Sequence, residues 1–181
     1  MAIDIAHLKA LVSIRQPTIK DATAFVAAVR RNRTLHRSWV SPPATTAAYR
    51  RYLQRISADG HRGFLVTHKE TGGLVGVINV SNIIRGTFQS AFLGYYAFSD
   101  YTGQGLMQEG LRLVLAHAFR KFGLHRLEAN IQPRNAASVQ LVRSCGFVRE
   151  GYSRRYLKIS GRWKDHERWA ILAEDFNYAA S

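Results

Sequence analysis

Hydrophobic residues recur along this chain with two spacings. Alternation marks short strands, and helical spacing marks amphipathic helices. Alternating or β-branched-rich stretches predict seven strands, over residues 11–16, 64–68, 74–82, 90–98, 126–131, 147–159 and 163–172. Apolar residues at helical spacing predict four helices: after Thr18, after Thr45 or Thr46, over residues 105–122, and from Asn135 to Cys145. Because strands lie on both sides of a strand–helix unit, the pattern is typical of a mixed α/β domain.

Residues 92–122 have the pattern of a phosphate-binding turn. An aromatic strand leads into Gly103 and Gly105, and a long amphipathic helix follows. The first N–H groups of a helix have no partner within it, and glycines let an anion approach them closely. We therefore expect this turn to hold a pyrophosphate-bearing cofactor. A dinucleotide fingerprint needs a third glycine three residues after Gly105, and Gly110 falls two positions late, which disfavours a Rossmann domain.

Composition and charge restrict the classes of function. The chain has 181 residues, 46% of them hydrophobic, which predicts one globular domain over residues 1–181. Its formal charge of +14 favours anionic partners such as a phosphorylated cofactor, RNA or an acidic surface. One cysteine excludes an intramolecular disulfide and no apolar run reaches transmembrane length, so we expect a soluble, cytoplasmic protein. No two histidines lie at metal-ligand spacing, and we predict no metal site.

A resemblance to a known family extends over residues 11–176. It is carried by the segments "NRTLHRSW", "GVINVSNIIRGTFQSAFLGYYAFSDYTGQGLMQEGL" and "HRLEANIQPRNAASVQLVRSCGFVREGYSRRYLKISGRWKDHERWAIL". They resemble the GNAT acyl-CoA N-acyltransferase superfamily, and within it the RimJ/RimL group, most of all the RimJ type of ribosomal-protein-alanine N-acetyltransferase. The resemblance implies a mixed, mostly antiparallel sheet of about seven strands with four helices. It also implies acetyl-CoA as cofactor and a protein N-terminus as acceptor.

The resemblance further implies where the cofactor binds. The fourth and fifth strands would separate, with the pantetheine arm of acetyl-CoA between them and a backbone N–H near residues 96–98 at the thioester oxygen. The usual turn signature is Gln/Arg-x-x-Gly-x-Gly/Ala, and this chain departs from it at Thr102 and Met107. The implied phosphate contacts are mostly backbone N–H groups, which tolerate such changes. The residues expected at the cofactor are Tyr96, Ala97, Phe98, Thr102, Gly103, Gln104, Gly105, Leu106, Met107, Asn135 and Ser138.

Ser138 is the residue that the resemblance implies at the departing thiolate. Many superfamily members carry a tyrosine seven residues after the helix-opening asparagine, but that position here is Val142, which cannot donate a proton. The hydroxyl of Ser138 is shared with RimJ/RimL-like proteins, although a first-turn serine also serves as a backbone partner. Glu128 and Glu150 are equal candidates for the general base. Glu109 is weaker, because a carboxylate in the first turn of a helix is favoured by the helix dipole alone.

The acceptor has several interpretations that stay open at this point. The expected substrate-side residues are Trp39, in the basic segment over residues 30–43, and Asn82 and Arg85. Cys145 suits a packing role, so we expect direct transfer without an acyl-enzyme. The acceptor is an alanine-type N-terminal α-amine of a ribosomal protein or, alternatively, a small-molecule amine. A non-catalytic RNA- or ribosome-binding protein on the same fold is a third possibility, and monomer and homodimer both remain open.

Overall fold

The computed structural model describes residues 10–176, which form seven strands and five helices. The strands are β1 (Val12–Arg15), β2 (His61–His68), β3 (Leu74–Ile84), β4 (Ser90–Ala97), β5 (Arg126–Ile131), β6 (Val148–Ile159) and β7 (Arg162–Leu172). The helices are α1 (Ala22–Arg31), α2 (Arg33–His36), α3 (Thr46–Ser57), α4 (Leu106–Arg120) and α5 (Ala136–Ser144). Single turns of 3₁₀ helix precede α1 and α4.

All seven strands belong to one sheet, in the order β1-β2-β3-β4-β5-β7-β6. β4 and β5 run parallel, and α4 is the crossover that parallel neighbours require. The other neighbouring pairs of the described strands are antiparallel. The predicted mixed, mostly antiparallel sheet is therefore confirmed.

Helices cover both faces of the sheet and build two hydrophobic cores. On one face, α1 and α3 pack their aromatic residues, such as Phe25 and Tyr49, against β2, β3 and Phe98. On the other face, α4 and α5 cover β2–β5 and β7, with Leu111 and Val142 fully buried. Among residues 10–176, the buried residues of this first core come from α1, α3, β2, β3 and Phe98. None of them comes from β5, β6 or β7, so these strands are not covered by this core.

β4 and β5 separate partway along their length. Parallel pairing joins residues 90–93 to residues 126–129. Among the described strands, β4 beyond Leu93 pairs only with β3, and β5 beyond Ala129 pairs only with β7. The separation that the resemblance implied is thus present, and it leaves a gap in the middle of the sheet.

Most predicted elements lie close to their observed bounds. β5 begins and ends at the predicted residues, whereas β2 starts three residues earlier, at His61, because residues 61–63 pair with β3. α2 was not predicted, since four residues are too few to show a helical period. No helix in the described part of the chain is both long and apolar enough to cross a membrane.

Candidate active site

A cavity of about 630 Å³ opens where β4 and β5 separate. Its volume lies within the range of small-molecule sites, roughly 300–1,000 Å³. It is bordered by the Gly turn (residues 102–107), the ends of β4 and β5, α5, and a rim formed by residues 35–40. The predicted site residues on its lining are Trp39, Tyr96, Ala97, Thr102, Gly103, Gly105, Leu106, Met107, Asn135 and Ser138.

The Gly turn has the geometry of an anion site. Gly103 and Gly105 adopt φ angles of 75° and 74°, in the left-handed region that glycine enters without strain. Gly105 is the N-cap of α4, so the N–H groups of the first helical turn lack intrahelical partners. These N–H groups and the positive end of the helix dipole fit a pyrophosphate. Gln104 lies off the cavity lining, and its Nε2 donates to the backbone oxygen of Asp100 at 3.4 Å.

The departure at Met107 has a structural counterpart in β3. A Cβ on Gly76 would lie 2.3 Å from Met107 Sδ and 2.7 Å from the backbone oxygen of Tyr96. Glycine at position 76 therefore leaves the space that the methionine side chain fills. A longer residue in the Gly turn is accommodated by a smaller one in the sheet beneath it.

The C-terminal end of β4 turns a backbone N–H group toward the gap. The N–H of Phe98 donates to the Val75 oxygen on β3 at 2.9 Å. Because successive N–H groups of a strand point to opposite edges, the N–H of Ala97 points toward the gap. His36 Nε2 donates to the Ala97 oxygen at 2.8 Å, and its ring packs 5.1 Å from the Tyr96 ring. Phe98 is buried in the α1–α3 core, so Ala97 is the residue of the 96–98 segment whose N–H suits an acyl oxygen.

Ser138 is held on the cavity wall by its backbone. Asn135 Oδ1 accepts a hydrogen bond from the Ser138 N–H at 3.2 Å, which is the predicted N-cap of α5. The hydroxyl of Tyr95 donates to the Ser138 backbone oxygen at 3.3 Å and links β4 to α5. Ser138 therefore joins the cap through its N–H rather than its hydroxyl. Val142 is fully buried, so apolar packing occupies the position of the usual tyrosine.

The sheet divides the cavity into two sides. Odd-numbered side chains of β4, β5 and β7 pack into the core beneath α4 and α5. Because side chains alternate along a strand, Tyr96, Asn130 and His166 lie on the opposite side, with the rim. Gln132 Nε2 donates to the Ser38 backbone oxygen at 3.3 Å and ties the rim to the end of β5. Among the described residues, no Asp, Glu, Lys or Arg lines the cavity.

The predicted base candidates lie outside this lining. Arg126 Nε donates to Glu128 Oε1 at 2.9 Å, and Arg126 Nη1 donates to Glu150 Oε1 at 2.9 Å. Hydrogen bonding to this guanidinium lowers the pKa of Glu150, which makes it a weaker base. Glu109 Oε1 accepts from the Val12 N–H at 3.2 Å and ties α4 to β1. The geometry therefore gives structural partners to all three carboxylates and brings none of them to the cavity.

Two of the three predicted substrate residues also lie elsewhere. Trp39 is in the rim, whereas Asn82 and Arg85 sit at the C-terminal end of β3, beside the start of β4. Asn82 adopts a φ of 52° where the β3–β4 register shifts, and Arg85 donates to the backbone oxygen of Phe122. Since the cavity is at the end of β4, the structure does not bring these residues together with Trp39.

Cys145 lies in the core beneath α4 and α5 and is 5% exposed. Burial raises the pKa of its thiol, which disfavours the thiolate that an acyl-carrying nucleophile needs. Its location agrees with a packing role.

Sequence reasoning missed several lining residues that no local motif marks. They are His36, Tyr95, Tyr101, Asn130, Gln132 and His166. The histidines were considered only as metal ligands, although the alternation of β7 could have placed His166 opposite the buried Trp169.

Residues 12–148 match the acetyltransferase (GNAT) domain family. The probable N-acetyltransferase YjcK of Bacillus subtilis (strain 168) is 39% identical over 124 residues, which cover 68% of each chain. The ribosomal protein uS5-alanine N-acetyltransferase of Escherichia coli (strain K12) is 39% identical over 103 residues, 57% of this chain and 53% of that enzyme, so the match spans about half of the enzyme.

A more distant relative has a different acceptor. The spermidine N(1)-acetyltransferase of Vibrio cholerae is 26% identical over 156 residues, covering 84% of this chain and 88% of that one.

Among solved structures, Mycobacterium smegmatis RimJ in complex with CoA-disulfide superimposes with a TM-score of 0.86 at 27% identity, covering 93% of this chain and 86% of that one. The resemblance to the RimJ/RimL group is confirmed.

Proposed function

Because the chain belongs to the GNAT acetyltransferase family, whose acyl donor is acetyl-CoA, we propose that it acetylates an alanine-type N-terminal α-amine of a ribosomal protein. The acceptor named for the Escherichia coli relative is of this type. Transfer is direct, within a complex that holds both substrates. The observation that carries the choice of acceptor is the uncharged lining of the cavity in the described part of the chain.

An uncharged cavity favours a protein N-terminus over a polyamine. Primary amines such as the lysine side chain have a pKa of about 10.4, so a polyamine carries several positive charges into the site that binds it. Burying those charges requires carboxylates nearby. A chain-terminal α-amine has a pKa of roughly 8, and a useful fraction of it is already neutral at pH 7. Neutral polar groups can therefore receive it without a buried counter-ion.

The cofactor is held on the α5 side of the cavity. N–H groups of the first turn of α4 would bind its pyrophosphate, the gap between β4 and β5 would receive its arm, and Asn135 and Ser138 would flank the reacting end. The cofactor supplies an acyl thioester, whose carbonyl carbon is the electrophile. The N–H of Ala97 donates to the acyl oxygen and stabilises the negative charge that develops there.

Ser138 serves the leaving group. Its hydroxyl donates a hydrogen bond to the departing sulfur, while the apolar Val142 offers no second donor at the usual family position. A hydrogen bond to the charged form stabilises a thiolate and lowers its pKa. The acceptor amine approaches from the other side of the sheet, past Trp39 and the rim.

The experiment that tests this function measures release of CoA from acetyl-CoA with three acceptors. They are a peptide beginning with alanine, the same peptide with a blocked N-terminus and an internal lysine, and spermidine. We expect the highest kcat/KM with the free alanyl N-terminus, and mass spectrometry should locate the acetyl group on the α-nitrogen.

Two other results would contradict the proposal. A higher kcat/KM with spermidine would make a polyamine the acceptor. No CoA release with any acceptor, together with tight and salt-sensitive RNA binding, would support the non-catalytic RNA-binding alternative.

A further inference from the structure

His166 lies at the point where the sheet opens into the cavity. The β5–β7 ladder ends at the pair Ile131 and Glu167, so His166 is the first residue of β7 beyond the end of β5. Its side chain points away from the α4–α5 core, lines the cavity and is only 2% exposed. The imidazole therefore faces the rim side, where the acceptor enters, and lies across the sheet from Ser138.

A hydrogen bond fixes the tautomer of this imidazole. Nδ1 of His166 lies 3.0 Å from the backbone oxygen of Lys164. A carbonyl oxygen only accepts, so Nδ1 carries the proton and Nε2 carries the lone pair. Nε2 has no hydrogen-bond partner among residues 10–176. A buried imidazole that donates a hydrogen bond through one nitrogen and keeps an unbonded lone pair on the other is suited to act as a general base.

The surroundings keep this imidazole neutral. Burial lowers the pKa of His166, more than the Lys164 oxygen and the charge of Asp165 raise it. Asp165 itself is engaged by the Tyr152 hydroxyl at 2.6 Å and the Arg155 N–H at 2.7 Å. From β6, the facing groups are Ser153, directly opposite in the ladder, and the Tyr156 ring at 6.2 Å. In the described part of the chain, no carboxylate pairs with the ring to hold it protonated.

His36 offers a comparison within the same cavity. Its Nε2 is committed to the Ala97 oxygen, and its Nδ1 is buried without a partner, sealed from solvent. Because Nδ1 of His36 is closed off from solvent and Nε2 is bonded to β4, the role of His36 is to position the end of that strand. His166 differs because its free nitrogen belongs to a ring on the acceptor side.

We propose that His166 is the general base of the transfer, with Nε2 taking the proton from the acceptor's ammonium group. The assignment rests on the proposed acetyl transfer but not on which amine is acetylated. It replaces the carboxylates that the sequence favoured, each of which has a structural partner outside the cavity.

The transfer conserves atoms and protons. Nε2 accepts one proton from the ammonium, and the freed amine nitrogen forms a bond to the acyl carbon. The carbon–sulfur bond breaks, the sulfur leaves with the electron pair, and the second proton of the nitrogen moves to that sulfur. The imidazolium then releases its proton to solvent, so each turnover yields the amide, the free thiol and one proton.

His166→Asn tests the assignment with little change in the fold. The asparagine Nδ2 can take over the bond to the Lys164 oxygen, but the side chain has no basic nitrogen. We expect kcat with the alanyl peptide to fall by on the order of 10²-fold or more. In the wild type, kcat should be level above pH 6.5 and fall below it, whereas in the variant it should keep rising to about pH 8, as the acceptor amine itself loses its proton.

His117→Gln is the matched control. Burial also lowers the pKa of His117, but this residue lies on α4, its ring packs 4.8 Å from that of Phe122, and it does not line the cavity. The pH profile and kcat of this variant should be those of the wild type. CoA binding, measured by calorimetry, should be equal in all three proteins.

A second variant keeps the assignment falsifiable if His166→Asn folds poorly. His166→Ala opens space toward the cavity, and added imidazole should restore activity in proportion to the neutral imidazole present. A folded, CoA-binding His166→Ala that imidazole does not rescue would overturn the proposal, as would a His166→Asn variant with wild-type kcat and pH profile. If the wild type prefers spermidine, the same variants are assayed with spermidine, so failure of the base and failure of the acceptor assignment are told apart.

Discussion

At the scale of single residues, Ser138 is positioned by bonds that do not involve its hydroxyl. Its N–H is bound by Asn135 and its backbone oxygen by Tyr95, so Ser138→Ala leaves α5 in place. We expect kcat to fall on the order of 10²-fold with little change in KM for acetyl-CoA, since the lost interaction acts on the leaving group. Steady-state kinetics checks this, with Ser138→Thr as the control that keeps a hydroxyl. An unchanged kcat in Ser138→Ala would refute the role.

The two carboxylates beside Arg126 have a structural role at the same scale. Glu128→Gln and Glu150→Gln each remove one ion pair at the surface of the sheet. We expect each change to lower the free energy of unfolding by about 0–1 kcal/mol and to leave kcat within about threefold of the wild type. Urea denaturation and the CoA-release assay measure the two effects. A large loss of kcat in either variant would make that carboxylate a candidate for the general base again.

At the scale of elements, the fit between β3 and α4 decides whether the Gly turn keeps its shape. Gly76→Ala would bring a Cβ into contact with Met107 and with the Tyr96 backbone. We expect a loss of about 1–3 kcal/mol in the free energy of unfolding, typical of overpacking. Met107→Ala removes only the sulfur contact, so the double variant should lose less than the sum of the single ones. Additive losses would show that the two residues are independent.

The elements that sequence reasoning located are those whose signals are local. Gly103 and Gly105 were recognisable because a left-handed turn before a helix selects glycine, and Asn135 because an N-cap selects a short polar side chain. The distance of Glu128 and Glu150 from the cavity could not be predicted, because it depends on pairing between distant segments. Arg126 reaches Glu150 across the intervening β7, and His166 reaches the cavity because β5 ends at Ile131. No window of the sequence contains both partners of such contacts.

At the scale of the whole molecule, the proposed cofactor site is built from elements that are far apart in sequence. The Gly turn, β4 and α5 all line one cavity, so CoA binding should stabilise the fold against unfolding. At a CoA concentration 100 times the Kd, the expected stabilisation is about 2.7 kcal/mol, or a rise in Tm of roughly 5–11 °C for a chain of this size. Differential scanning fluorimetry measures it. Gly105→Ala, strained at a φ of 74°, should show a smaller rise, and an equal one would argue against cofactor binding at the Gly turn.

The short parallel ladder between β4 and β5 has a consequence for the protein in the cell. Residues 90–93 and 126–129 are the one stretch of backbone pairing that joins the two halves of the described sheet. Beyond it, the unliganded chain carries two open strand edges in its interior, and open edges are what foreign strands add to during aggregation. A cofactor arm bound between β4 and β5, as proposed, would cover both edges. With this binding mode, we expect acetyl-CoA to protect the protein from self-association as well as to supply the acetyl group.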